Sequence, residues 1–173
     1  MRAPAFYLLV SSLQRCSANP RSEADPGARR REGSNHFFDV HDGLGVFVLG
    51  KLGIKTILIT AKGSKAIGPR ARDMGVAAVF ENVIPKSVVL DRILKKYAVT
   101  TEQICFVGDD LVDLCLMKKV GFPVAVFNAC PEIKQAASYI TLREGGRGAV
   151  REITEVILKS QGKWEEALKI YDV

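Results

Sequence analysis

Beyond residue 42 the chain alternates short apolar runs with amphipathic stretches, and Gly, Pro or Ser stands at most of the joins. The segment GLGVFVLGKLG (43–53) has helix-like apolar spacing and stops at Gly53. KTILIT (55–60) is β-branched and continuous, as a strand buried on both faces should be. SKAIGPRARDMG (64–75) reads as a helix with Ser64 as N-cap and Gly75 as its stop. AAVFE (77–81) is another short strand. PKSVVLDRILKKYAV (85–99) predicts a helix burying Val88, Val89, Ile93, Leu94 and Tyr97. QICFVGDD (103–110) is a strand running into acids, and LVDLCLMKKVG (111–121) is a helix ended by glycine. FPVAVFNA, PEIKQAA and SYITL continue the pattern as strand, helix and strand, with Pro131 at a helix start. GRGAVREITEVILKSQG (146–162) is a longer amphipathic helix, and the tail KWEEALKIYDV is predicted helical.

Strands alternating with helices through short links predict an α/β fold, a Rossmann-like doubly wound parallel sheet. Ligands of such sheets bind beyond the carboxyl ends of the strands. The residues just past the strands are therefore the candidates. Thr60 follows ILI, Asn82 and Lys86 follow VFE, and Gly108, Asp109, Asp110 and Asp113 follow CFV. A hydroxyl, an ammonium and a carboxylate cluster on one sheet edge suit phosphoryl chemistry. Carboxylates at a strand end hold Mg²⁺, a hard ion that takes oxygen ligands. A lysine balances phosphate charge, and a threonine hydroxyl donates to a phosphoryl oxygen. Taken singly, each has a plainer role: a strand-end threonine, a solvated lysine, acids capping the next helix.

Composition narrows the choice. The chain has 173 residues, 47% hydrophobic and 25% charged, which suits one globular domain. Residues 1–36 hold six arginines, no lysine and three acids; residues 37–173 carry a net charge of only +3. The folded part is mildly basic and lacks the basic stripe with interleaved aromatics that nucleic-acid binding wants. No apolar run approaches the ~18 residues of a membrane span. The run Ala5–Val10 is shorter than a secretory signal core. The four cysteines form no C-x-x-C pair and read as reduced thiols of a cytoplasmic protein. The arginine-rich segment up to residue 36 is expected to stay flexible, because it has too little apolar surface to offset the entropy of ordering.

Thr60, Lys86 and the Gly-Asp-Asp-x-x-Asp segment, each after its own strand, resemble motifs II to IV of the haloacid dehalogenase superfamily. FFDVHDGLG, ILITAKGS, FVGDDLVDLCLMKKVGFPVAV, ACPEIKQAASYIT and GGRGAVREITEVILKSQGKW resemble the 3-deoxy-D-manno-octulosonate 8-phosphate phosphatases more closely. The resemblance covers about residues 37–170. It implies a capless, Mg²⁺-dependent phosphomonoesterase, assembled as a homotetramer, that acts on a phosphorylated sugar acid in lipopolysaccharide synthesis. It implies Asp109 as a metal ligand with Asp113 in the metal shell, Lys86 and Thr60 as catalytic groups, and Lys62 where the family often has arginine. It also implies that Asp42 and Gly43 cap a helix and touch substrate, and that Arg147 reaches a neighbouring subunit's site.

The family's Asp-x-Asp-Gly nucleophile motif should follow a buried apolar strand. FFDVHDGLG follows Gly33, Ser34, Asn35 and His36, so Asp39 is not that nucleophile. The expectation is a chain without the first strand, the hairpin after it and the nucleophile, with residues 1–36 as non-family sequence and 37–173 as an incomplete phosphatase domain. A mis-start, a frameshift or a fusion would produce that break. The alternative function is a non-catalytic assembly or binding module, as in the similar C-terminal domain of animal acylneuraminate cytidylyltransferases.

Overall fold

A computed structural model of the chain describes residues 7–11, 14–16 and 36–172. Six parallel strands form one sheet: β1 (Tyr7–Val10), β4 (Lys55–Ile59), β5 (Ala78–Phe80), β6 (Ile104–Gly108), β7 (Phe122–Ala125) and β8 (Tyr139–Ile140). Their order across the sheet is β5-β4-β1-β6-β7-β8. The doubly wound α/β architecture is therefore as predicted.

The missing first strand is not. β1 lies in the middle of the sheet, pairing Tyr7 with Lys55 on one side and with Ile104 on the other. Leu8 and Leu9 are wholly buried, which explains the lack of any period-2 alternation in YLLV. Each such side chain contributes ~1.5–3 kcal/mol through burial. The hairpin is also present: β2 (Gln14–Cys16) pairs antiparallel with β3 (His36–Phe38). The expected boundary at residue 37 thus gives way at Tyr7–Val10, which are core residues of the same domain.

All the predicted helices are present, the one over 111–121 shortened to four α-helical residues after a 3₁₀ turn. They are α1 (Val40–Lys51), α2 (Ile67–Asp73), α3 (Leu90–Tyr97), α4 (Leu114–Met117), α5 (Pro131–Ala136), α6 (Ala149–Ser160) and α7 (Trp164–Lys169). α1 and α2 are followed by Gly53 and Gly75, whose φ values of +81° and +72° lie where glycine is favoured. The helix predicted over 85–99 begins instead as a 3₁₀ turn, Lys86–Val89. That tighter turn changes the phase, so Val88 is exposed while Val89, Leu90 and Ile93 are buried.

α1 and α6 pack closely, and Gly45 is the reason. A Cβ at that position would stand 2.8 Å from Thr154 Oγ1 and 3.2 Å from Arg151 Cα. No described helix is long and apolar enough to cross a membrane.

Candidate active site

The carboxyl ends of β1, β4 and β6 lie side by side, so the residues after them share one edge. β1 leads into Ser11, whose N–H still donates to Val107 O of β6 at 3.0 Å. β6 ends at Gly108, and the chain turns at once. Asp110 caps the following 3₁₀ turn, accepting from Leu111 N at 2.7 Å. The turn swings Asp113 back beneath the loop, where its Oδ2 accepts from Asp109 N at 3.0 Å and Asp110 N at 3.4 Å. Only glycine fits at 108, since a Cβ there would meet Asp113 Cβ at 2.9 Å.

Lys86 reaches the same place from the turn after β5. Its Nζ donates to Asp113 Oδ1 and to Ser11 Oγ, both at 2.5 Å. The Lys86 and Asp113 side chains are 3% and 0% exposed. A buried pair of this kind needs its remaining polar atoms satisfied, and the Asp109 and Asp110 amides supply that for Asp113. Asp113, expected in a metal shell, thus has its two oxygens on Lys86 and on loop amides.

Thr60 ends β4. Its hydroxyl donates to Lys62 O at 2.8 Å and accepts from Lys62 N at 3.2 Å, so it ties its own turn together. Lys62 is exposed on that turn. Gly63 N donates to Asn82 Oδ1 at 2.9 Å, which links the loops after β4 and β5. Arg147 is half-exposed and pairs with Glu144 at 3.2 Å.

Asp42 and Gly43 stand elsewhere. The cap of α1 is Asp39, which accepts from His41 N at 2.7 Å and Asp42 N at 3.3 Å, so the expected capping role of Asp42 and Gly43 is corrected. Asp42 is 1% exposed. It accepts from Gly148 N at 3.2 Å and Arg151 N at 2.9 Å, serving the amino end of α6 across the helix pair. Burial pushes its carboxyl above the usual 3.8, against the lowering effect of those amide bonds. A Cβ on Gly43 would meet Arg70 Nη2 at 2.8 Å.

Ser11 was not among the sequence candidates. The signal was there: an apolar run of strand length ending in a small polar residue, a pattern shared by strands and signal cores.

The chain matches the haloacid dehalogenase-like hydrolase family over residues 49–153. It is 37% identical over 130 residues to the 3-deoxy-D-manno-octulosonate 8-phosphate phosphatase of Escherichia coli K12, covering 75% of this chain and 69% of that one. This chain belongs to that phosphatase family. Solved structures of the family carry the likeness further towards the amino end. The Moraxella catarrhalis phosphatase, in complex with magnesium, phosphate and the sugar acid, has a TM-score of 0.83 at 27% identity, covering 97% of this chain and 93% of its own. The Yersinia pestis phosphatase has a TM-score of 0.83 at 31% identity, covering 94% and 85%. Phosphatases of this superfamily use metal ions. The sequence after β1 reads Ser11-Ser12-Leu13-Gln14 and carries no Asp-x-Asp-Gly.

Proposed function

We propose that this protein is a phosphomonoesterase of the 3-deoxy-D-manno-octulosonate 8-phosphate type whose turnover is impaired at the nucleophilic step. The observation behind this is Lys86 Nζ donating to the Ser11 hydroxyl at the end of the central strand. That step needs an activated group to attack phosphorus. Serine attacks only when a base takes its proton. The side chain facing Ser11 is a lysine paired with a buried carboxylate, which gives protons rather than taking them. The phosphate of a sugar acid would meet Ser11, with Lys86 beneath it and Lys62 on the neighbouring loop.

Mg²⁺ is the cation that the family implies. Among the described residues no three His, Cys, Asp or Glu side chains gather as a metal site. Asp113 is neutralised by Lys86, and the strand end offers a hydroxyl where a carboxylate would be expected. The described residues therefore offer fewer carboxylates than the family resemblance implies, with Asp109 and Asp110 left after β6, and no step here runs through a cation. The homotetramer, and the reach of Arg147 into a neighbouring subunit, belong to the same reading.

The test is phosphate release from the octulosonate 8-phosphate, with Mg²⁺ present, by the natural chain and by Ser11→Asp/Leu13→Asp. The natural chain should stay near background, and the double variant should gain at least ~100-fold, a barrier change of about 2.7 kcal/mol. Turnover of ~1 s⁻¹ or more by the natural chain would overturn the reading. So would a folded double variant with no gain.

A further inference from the structure

We propose that the cavity between α1, α6 and α7 binds a small aryl carboxylate, its ring among the helices and its carboxylate on the Arg151 guanidinium. The cavity measures about 140 Å³, and none of Ser11, Lys86 or Asp113 lines it, so the site stands apart from the phosphoryl edge. Its apolar walls are Leu44 and Val48 of α1 and Trp164, Ala167 and Leu168 of α7. The three helices are tied around it. Asp42 of α1 accepts from Arg151 N of α6 at 2.9 Å. Gly162, at φ +67°, turns the chain from α6 into α7, and Lys163 Nζ donates to Leu52 O, just past α1, at 3.2 Å. The space is therefore built into the fold. The Thr154 hydroxyl in the wall already donates to Val150 O at 2.9 Å. An apolar cavity of about 150 Å³ stays dry and takes a benzene ring.

The charge beside the cavity selects an anion. Arg151 lines it, and its Nε donates to Glu155 Oε1 at 2.9 Å. Lys159 Nζ donates to the other oxygen of Glu155 at 3.0 Å. Two cations thus share one carboxylate, which leaves a positive surplus next to Trp164. The Arg151 guanidinium carbon is 6.0 Å and Lys159 Nζ 4.8 Å from the Trp164 ring centroid. Glu165 and Glu166 are exposed on α7, and neither lines the cavity. With Nε on Glu155, the terminal nitrogens of the guanidinium carry the remaining N–H donors, in the planar fork that suits a carboxylate. A phosphorylated sugar acid does not suit these walls, because its hydroxyls would lie unpaired against leucine and tryptophan.

Trp164 is the chain's only tryptophan, so its fluorescence reports on this cavity directly. The experiment is titration of the full chain with phenylacetate, read by that fluorescence and by calorimetry, with phenylacetamide as the neutral counterpart. Phenylacetate should bind saturably with a Kd at or below ~1 mM, and phenylacetamide at least ~fivefold more weakly. Arg151→Gln should bring the two probes within about twofold of each other. Ala167→Leu and Leu44→Phe fill the cavity from different helices, and each should weaken phenylacetate at least ~tenfold. Denaturation curves establish which variants are folded. No saturable signal up to about 20 mM overturns the inference. Equal affinity of the natural chain for the two probes does so too, as does undiminished binding by a folded filling variant. A Trp164 signal that follows protein concentration instead of probe assigns the face to a second copy of the chain, and that also overturns it. The phosphatase reading is tested by phosphate release and stands or falls separately.

Discussion

Replacing Lys86 with methionine keeps the length of the side chain and removes its charge. Asp113 then stays fully buried, with its Oδ1 partner gone and only the two loop amides left on Oδ2. Breaking a buried ion pair from one side costs about 3–5 kcal/mol, because the surviving charge is uncompensated. Ser11 loses its donor in the same change. Against a total stability of about 5–15 kcal/mol, that is a large part. For a domain of this size each kcal/mol lowers Tm by about 2–4 °C, so the expected drop is roughly 6–20 °C. Urea denaturation and thermal melts at neutral pH would measure it. Lys86→Met/Asp113→Asn removes both charges and should recover at least about half of the loss, giving a coupling of the kind a double-mutant cycle isolates. A Lys86→Met cost under about 1 kcal/mol would refute the reasoning, as would a double variant as unstable as the two single changes added together.

Asp42→Ala should cost about 1–3 kcal/mol in urea denaturation, because the Gly148 and Arg151 amides lose their acceptor. Burial raises the Asp42 carboxyl above 3.8, so the native state holds its proton longer than the unfolded chain does, and this group's contribution falls as pH rises through that window. The cost of Asp42→Ala should therefore be larger below pH 3.8 than at neutral pH, and the opposite trend would rule out the burial argument. Gly45→Leu should destabilise by about 1–3 kcal/mol despite leucine's better helix propensity, since its Cβ would enter Thr154 and the Arg151 backbone. A neutral or stabilising result in the same denaturation assay would show that α1 and α6 separate at little cost.

Most of the fold was legible because its elements are locally consistent. KTILIT, QICFVGDD and GRGAVREITEVILKSQG each carry their own period and their own stop, and each folds close to its predicted span. β1 was not legible for a physical reason. YLLV has only four residues, and its register is set by partners at Lys55 and Ile104, far along the chain. The arginine-rich sequence after it pointed to a composition break, and a central strand needs no support from its sequence neighbours. Val88 was misplaced because apolar spacing does not tell a 3₁₀ turn from the first turn of an α-helix.

In the site, the meeting of Lys86 with the acids after β6 was readable from strand order alone. The pairing of Lys86 with Asp113 was not, since it depends on the 3₁₀ turn Leu111–Asp113. Asp42 was read as a helix cap with a part in substrate contact. It does serve a helix end, but that of α6, and nothing local in FFDVHDGLG announces a partner more than a hundred residues away.

The same pair explains why a serine at the strand end leaves the architecture standing. A buried lysine held only by a carboxylate after β1 would become an orphan charge when that carboxylate became a hydroxyl, at the cost of several kcal/mol. Here Asp113 supplies the compensating charge from another strand, and its own second oxygen is held by the Asp109 and Asp110 amides. Ser11 then needs only to accept one hydrogen bond, which its oxygen does. Stability and nucleophilicity thus depend on different residues at this edge. The first rests on Lys86 and Asp113; in the proposed reading the second rests on the residue next after Val10, so a change there would silence the chemistry without disturbing the core.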